Sequence, residues 1–180
     1  IFNVGAPGLE NIQNKKFNNK EQILDKFKIP KNKKIAIVTF HPETKTNNDP
    51  NKEITKFLKA LFSFNNIFYI FTYSNADPFG KFFIKKINSY KKNTNILIYQ
   101  TMGTNLYHEA IKISDIVIGN SSSGIFEAPS LGTPTINIGN RQEGRLMGPS
   151  IFNCKNEFLE IKKTINIVLR KKNINFKNIF

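Results

Sequence analysis

One segment of the chain combines hydroxyl, glycine and carboxylate residues at a spacing that suits phosphate and sugar binding. It reads Gly119-Asn120-Ser121-Ser122-Ser123-Gly124 and follows the apolar run Ile116-Val117-Ile118, which is typical of a buried strand. A strand-to-helix turn of this composition leaves hydroxyls and backbone N–H groups open to a phosphate. Glu127 follows about one helical turn later, where a carboxylate can accept hydrogen bonds from sugar hydroxyls. The pattern predicts a nucleotide-sugar site; the alternative is an ordinary strand–turn–helix connection capped by serine.

Histidine and arginine residues elsewhere in the chain could act on the same ligand. His41 follows an apolar run, and an imidazole that titrates near physiological pH can donate to a phosphate or assist a leaving group. Its alternative role is to cap a strand. Arg141 and Arg145 stand out in a chain that otherwise uses lysine, and a guanidinium binds phosphate through two parallel hydrogen bonds. Arg145 could equally be a structural ion-pair partner, and His108, inside a predicted helix, is expected at the surface.

Alternating strands and helices are predicted to position these residues. Apolar and β-branched runs predict strands over 34–40, 67–72, 95–99, 115–118 and 133–138, with a short last strand at 151–152. Amphipathic spacing predicts helices over 19–27, 49–64, 78–90 and 104–113, another from the serine turn to about 131, and one over 157–170. This order indicates an α/β fold with a doubly wound parallel sheet, whose ligands bind beyond the carboxyl ends of the strands.

Composition and charge narrow the possible function classes. The formal net charge is +14 over 180 residues, but the basic residues are mostly lysines scattered along the chain, so no nucleic-acid partner is expected. No apolar run approaches the ~18 residues that a membrane span needs, so no membrane partner is expected either. A single cysteine, Cys154, agrees with a reducing, cytoplasmic location.

The length suits one domain with short extensions. Residues 1–8 contain Gly5-Ala6-Pro7-Gly8 and are interpreted as an interdomain segment or hinge. Residues 9–172 form the predicted nucleotide-binding domain, and residues 173–180 form a tail that is expected to be poorly ordered. Because the chain begins at Ile1, inside a run typical of a strand and without an initiator Met, it is interpreted as a fragment of a longer polypeptide.

Several motifs together resemble those of the hydrolysing UDP-N-acetylglucosamine 2-epimerases, in particular the branch that serves sialic acid synthesis. They lie at 2–8, 39–44, 119–130 and 132–145, and the last two, taken as one block, are highly specific. The resemblance implies a Rossmann-like C-terminal domain of a GT-B fold. It implies anti elimination of UDP from UDP-GlcNAc and then hydration to N-acetylmannosamine, without a metal or redox cofactor. Carboxylates of an N-terminal domain of the same polypeptide would do much of the proton transfer, so this chain alone would bind UDP weakly and turn nothing over. A homo-oligomeric full-length enzyme is also expected.

The resemblance assigns roles to individual residues. Ser121 and Ser122 would contact the diphosphate, Glu127 the two ribose hydroxyls, and His41 would be the active-site histidine. Gln100, Thr101 and Met102 fall where the family packs the uracil ring, and Asn75 matches a position that contacts the ligand in some relatives. Arg141 and Arg145 remain candidates for contacts with the diphosphate or sugar.

Three other functions stay open from the sequence. Some relatives act on a GDP-linked diacetamido sugar on the way to legionaminic acid, and the motifs do not separate uracil from guanine. A GT-B glycosyltransferase shares the same nucleotide-binding domain. A non-catalytic basic binding module, for example one that binds nucleic acid, is the third possibility.

Overall fold

The computed structural model describes residues 6–13, 15–41, 49–73, 80–90 and 95–180. They form one sheet of six parallel strands in the order β3-β2-β1-β4-β5-β6. The strands are β1 (Lys34–Thr39), β2 (Ile67–Thr72), β3 (Ile96–Tyr99), β4 (Ile116–Gly119), β5 (Thr135–Ile138) and β6 (Ile151–Cys154). The helices are α1 (Glu10–Gln13), α2 (Lys20–Phe27), α3 (Pro50–Leu61), α4 (Gly80–Asn88), α5 (Gly103–Ile113), α6 (Ser123–Phe126) and α7 (Phe158–Arg170). The predicted doubly wound parallel sheet is confirmed.

The core lies on both faces of the sheet. Along β1, Ala36 and Val38 belong to one apolar cluster, while Ile35 and Ile37 belong to the other, since successive side chains of a strand point to opposite faces. Helices α3 and α7 cover the first face, and α2 and α5 cover the second. β2 is buried at all six positions, and its composition fits this, since the first five residues are apolar or aromatic and the hydroxyl of the sixth, Thr72, is hydrogen-bonded to Thr39.

The segment after the serine turn differs from its prediction. A helix to about residue 131 was expected, but α6 is only four residues long and a separate 3-10 turn, Pro129–Leu131, follows it. Pro129 is the physical reason, because it has no N–H to donate and its ring would clash with the carbonyl of Ile125 in a continuous helix. The residues from Ser121 to Leu131 are therefore two short turns rather than one helix.

The tail after α7 contacts the body of the domain. It contains no helix or strand. The Asn178 side chain donates to the Phe126 carbonyl at 2.9 Å, and the Phe180 ring meets the Phe126 ring edge-on at 4.5 Å between centroids. The tail thus covers the outer side of α6.

The strand order places a crevice beside β1 and β4. The chain winds outward from β1 through β2 to β3, and then returns to add β4 on the other side of β1. Ligands of doubly wound sheets bind at the carboxyl ends of the strands where the order reverses in this way. Gly119 permits the close approach there, because a Cβ at this residue would lie 2.0 Å from the Thr39 carbonyl oxygen and its φ is +140°. No helix in the described part of the chain is long and apolar enough to span a membrane.

Candidate functional site

Asn120 joins the ends of β1 and β4 and so positions the residues that follow them. Its side-chain oxygen accepts from the His41 N–H at 2.7 Å, and its side-chain nitrogen donates to the His41 carbonyl at 2.8 Å. The Asn120 N–H also donates to the Thr39 carbonyl at 3.2 Å. Asn120 is 1% exposed, so these bonds are shielded from water. His41 is therefore held beside Ser121, although the two are far apart in the sequence.

A pocket of about 390 Å³ opens at this edge of the sheet. It is lined by residues that follow β1, β2, β3 and β4, as expected for a site at the carboxyl ends of parallel strands. Seven residues predicted to bind or act on the ligand line it together, namely His41, Gln100, Thr101, Met102, Ser121, Ser122 and Glu127. The other lining residues are Thr39, Thr72, Tyr73, Gly103, Thr104, Tyr107, His108 and Ser123.

A chain of hydroxyl groups leads into the pocket from α5. The Tyr107 hydroxyl lies 2.6 Å from the Ser123 hydroxyl, which lies 3.0 Å from that of Ser121. Burial raises the pKa of Tyr107, against the smaller opposing effect of its hydrogen bonds, so this phenol remains protonated and can donate. With Tyr107 donating to Ser123 and Ser123 to Ser121, the Ser121 hydroxyl hydrogen is directed away from this chain and toward a ligand oxygen.

Glu127 is bonded to a buried histidine. Nε2 of His108 lies 2.9 Å from Oε2 of Glu127, and because a carboxylate only accepts, the imidazole nitrogen is the donor. The His108 side chain is 2% exposed and that of Glu127 29% exposed. Nδ1 of His108 is buried and has no hydrogen-bond partner among the described residues.

The expectation that His108 lies at the surface is therefore wrong. His108 precedes the buried Ile111 by three residues and so shares the face of α5 that packs on the sheet. That spacing was visible in the sequence, but a histidine on an apolar face does not by itself reveal its partner. The pairing with Glu127 depends on the packing of α5 against the turn after β4.

The two arginines lie outside this pocket. Nη1 of Arg141 donates to the Asn120 carbonyl at 3.0 Å, next to Ser121, and Gln142 donates to the same oxygen at 2.7 Å. The Arg145 guanidinium lies over the Phe126 ring at 5.4 Å and lines a second pocket of about 620 Å³ at the ends of β5 and β6. Arg141 is thus adjacent to the serine turn and Arg145 is displaced from it. Asn75 lies outside the described residues.

The charges that line the pocket are few. Among the described lining residues there is no lysine or arginine, and Glu127 is the one carboxylate. The described residues also contain no group of three or more His, Cys, Asp or Glu side chains that could hold a metal ion. Hydroxyl, imidazole and amide groups and the carboxylate of Glu127 are therefore the polar groups that this part of the site offers to a ligand.

The chain is similar in sequence to several known proteins. The family model described as UDP-N-acetylglucosamine 2-epimerase matches residues 1–179. A Campylobacter jejuni protein named GDP/UDP-N,N'-diacetylbacillosamine 2-epimerase (hydrolyzing) is 35% identical over 157 residues, which are 86% of this chain and 41% of the relative. The Escherichia coli polysialic acid biosynthesis protein P7 is 36% identical over 168 residues, which are 93% of this chain and 43% of the relative.

Solved structures share the fold. The Neisseria meningitidis UDP-GlcNAc 2-epimerase, bound to UDP-GlcNAc, aligns with a TM-score of 0.61 at 18% identity, covering 88% of this chain and 43% of that chain. Structural neighbours include GT-B epimerases and glycosyltransferases, which agrees with the predicted fold class. This chain spans less than half of the length of the relatives that it matches.

Proposed function

Since the chain belongs to the UDP-N-acetylglucosamine 2-epimerase family, we propose that the pocket at the ends of β1 and β4 holds the nucleotide of a nucleotide sugar. The observation that carries this proposal is the meeting of His41, Ser121, Ser122 and Glu127 around one cavity at the switch point of the sheet. These residues come from two strand ends that adjoin only in the folded domain. Their hydroxyl, imidazole and carboxylate groups match a diphosphate beside a ribose.

Each part of the nucleotide has a counterpart in the pocket. Ser121 and Ser122 contact the diphosphate, with the hydroxyl chain from Tyr107 directing the Ser121 hydrogen toward it. Glu127 accepts hydrogen bonds from the two ribose hydroxyls through the lone pairs that His108 leaves open. The base lies against the residues that follow β3, where Thr101 and Met102 line the pocket. Arg141 supplies positive charge beside the turn.

The reaction that we propose for the full-length protein is conversion of UDP-N-acetylglucosamine and water into N-acetylmannosamine and UDP. The proton on C2 of the sugar leaves with anti departure of UDP, and water then adds to the resulting 2-acetamidoglucal. His41, held by Asn120 at the end of β1, donates a hydrogen bond or a proton to the departing diphosphate. Neither step needs a metal or redox cofactor.

The base that removes the C2 proton is not assigned to the described pocket. Its one described carboxylate, Glu127, is already bonded to His108 and faces the position proposed for the ribose rather than the sugar ring. We therefore propose that carboxylates elsewhere in the full-length protein, in an N-terminal domain, perform this step. On the same grounds, this chain alone binds UDP weakly and has no epimerase activity.

A second candidate substrate is a diacetamido sugar. The Campylobacter jejuni relative is named for GDP/UDP-N,N'-diacetylbacillosamine, and it matches this chain at 35% identity. The pocket recognises the base mainly from the 100–102 segment, where backbone groups can pair with either uracil or guanine. The sugar and the base are thus the features of the substrate that an assay must determine.

Two measurements test the proposal. Calorimetric titration of the chain with UDP and with GDP measures nucleotide binding, and absence of binding for both at millimolar concentration would refute the proposed site. The full-length protein is then assayed for release of the free 2-epimerised sugar from UDP-GlcNAc and from UDP- and GDP-linked diacetamido sugars. Transfer of the sugar to an acceptor, without free sugar release, would instead identify a glycosyltransferase. Steeply salt-dependent retention of DNA or RNA without nucleotide binding would favour a basic binding module.

A further inference from the structure

Two consecutive residues of α5 hold two different ligand-facing groups of the pocket. Tyr107 bonds to Ser123, and through it to Ser121, with oxygen–oxygen distances of 2.6 and 3.0 Å. His108 bonds to Glu127 at 2.9 Å. Both bonds cross from α5 to the turn after β4, so one helix contacts both halves of that turn.

The turn after β4 needs support of this kind. Its only α-helical part, α6, is four residues long, which is too short to be stable by its own hydrogen bonds. Pro129 ends it, as described above. The orientation of the Ser121 hydroxyl and of the Glu127 carboxylate is therefore set from outside the turn, and α5, at eleven residues, is the longer element that contacts them.

We propose that Tyr107 and His108 are positioning residues of the nucleotide site: Tyr107 orients the serine hydroxyls that face the diphosphate, and His108 orients the carboxylate that faces the ribose. This inference rests on the proposed function of the same pocket. It assigns a role to two side chains that need not touch the ligand themselves.

The environment of His108 supports a role beyond packing. Its ring is 2% exposed, and Nδ1 has no partner among the described residues. An unpaired polar atom in a buried position costs stability, and a leucine on this apolar face of α5 would avoid that cost. What the histidine offers that a leucine would not is the hydrogen bond from its Nε2 to Oε2 of Glu127. This bond holds the carboxylate of a partly exposed side chain in one orientation.

Tyr107 orders the serine hydroxyls in the way that His108 orders the Glu127 carboxylate. A serine hydroxyl rotates freely unless a neighbour fixes its hydrogen. The Ser123 hydroxyl donates its hydrogen to Ser121, so the phenol is the donor in the bond between Tyr107 and Ser123, and the Ser121 hydrogen is left to donate to a phosphate oxygen. A phenylalanine at 107 would keep the packing of the ring and remove the hydroxyl that orders Ser123 and Ser121, together with its hydrogen bond to Thr39.

The experiment compares UDP with one ligand that lacks the two ribose hydroxyls and with another that lacks the diphosphate. Tyr107→Phe, His108→Leu and His108→Gln are prepared in the full chain, and UDP, 2′,3′-dideoxy-UDP and uridine are titrated into each variant and the wild type by calorimetry or ligand-detected NMR. His108→Leu is expected to weaken UDP binding about tenfold, a typical loss for a hydrogen bond to a charged group, and to leave the affinity for 2′,3′-dideoxy-UDP nearly unchanged. His108→Gln keeps an N–H near the position of Nε2 and should restore UDP binding to within about threefold of the wild type.

Tyr107→Phe is expected to show the complementary pattern. It should weaken UDP binding about fivefold and leave uridine binding unchanged, because uridine has no diphosphate to meet the serines. Variants that weaken all three ligands alike would show a purely structural role and overturn the inference. Unchanged UDP affinity in both Tyr107→Phe and His108→Leu would overturn it as well, while leaving the proposed function intact. Failure of the wild type to bind UDP would refute the proposed function, and this inference with it.

Discussion

Replacement of Asn120 by alanine tests the central element of the site, the bridge between β1 and β4. The substitution removes one acceptor at 2.7 Å from the His41 N–H and one donor at 2.8 Å from the His41 carbonyl. Asn120 is 1% exposed, so water does not readily replace either bond. Each buried group that loses its partner costs about 1–3 kcal/mol, and we expect a loss of about 2–5 kcal/mol in the free energy of unfolding. That is a large part of the ~5–15 kcal/mol typical of a single domain.

The measurement is urea unfolding of the chain, followed by circular dichroism. A lower midpoint at an unchanged m-value indicates lost stability rather than an altered unfolded state. Asn120→Asp is the matched variant, because it keeps an acceptor for the His41 N–H but lacks a donor for the His41 carbonyl. Its loss in free energy of unfolding should be roughly half of that of Asn120→Ala or more. Asn11→Ala, at an exposed position, should stay within about 0.5 kcal/mol of the wild type. A loss below about 1 kcal/mol for Asn120→Ala would refute the view that this side chain holds the two strand ends together.

Three further predictions concern single positions. Gly119→Ala should destabilise the domain by about 3 kcal/mol or more, because its Cβ would lie 2.0 Å from the Thr39 carbonyl oxygen. Gly144→Ala, also at positive φ but with open space around it, should cost about 1–2 kcal/mol. Equal losses of stability in the two variants would contradict the reasoning. Glu127→Ala should weaken UDP binding by about 1–3 kcal/mol in calorimetry, and an unchanged affinity would remove Glu127 from the site. Partial burial raises the pKa of the Cys154 thiol to about 11, so the thiol is protonated at pH 8 and its thiolate fraction grows as the pH rises from 8 toward 11. Labelling with a disulfide reagent should therefore be slow at pH 8 and accelerate as the pH rises, and a rate at pH 8 equal to that of free cysteine would contradict the burial of this residue.

The strands could be predicted from the sequence because a buried parallel strand leaves a simple pattern. β2 consists of six buried residues, and the first five of them, Ile67 to Phe71, form an uninterrupted apolar run. Strand ends follow from the polar residue after each run, which is why His41 and Ser121 could be assigned to one edge of the sheet. The second half of the turn after β4 is harder to predict, since its apolar spacing is typical of a continuous helix, whereas Pro129 prevents one.

The partners of individual side chains could not be predicted, because they depend on packing between elements distant in the sequence. Nothing near His108 in the sequence indicates Glu127, and the pair forms only when α5 packs beside the turn. The same holds for the tail, whose contact of Phe180 with Phe126 spans α7 and two strands of chain. Motifs identify the residues that can meet a ligand, while the residues that orient them are found only once the elements are packed.

The contacts of Asn120 explain why the serine motif and His41 lie side by side. The side chain of Asn120 bonds to the N–H and the carbonyl of His41. The backbone carbonyl of Asn120 accepts from Arg141 at 3.0 Å and from Gln142 at 2.7 Å. One residue therefore connects the end of β1, the end of β4 and the segment after β5. Because Ser121 is the next residue, any shift of these three segments changes the position of the Ser121 hydroxyl, which we propose faces the phosphate, relative to His41. The geometry of the proposed leaving-group contact thus depends on a residue that lies beneath the pocket and is absent from its lining.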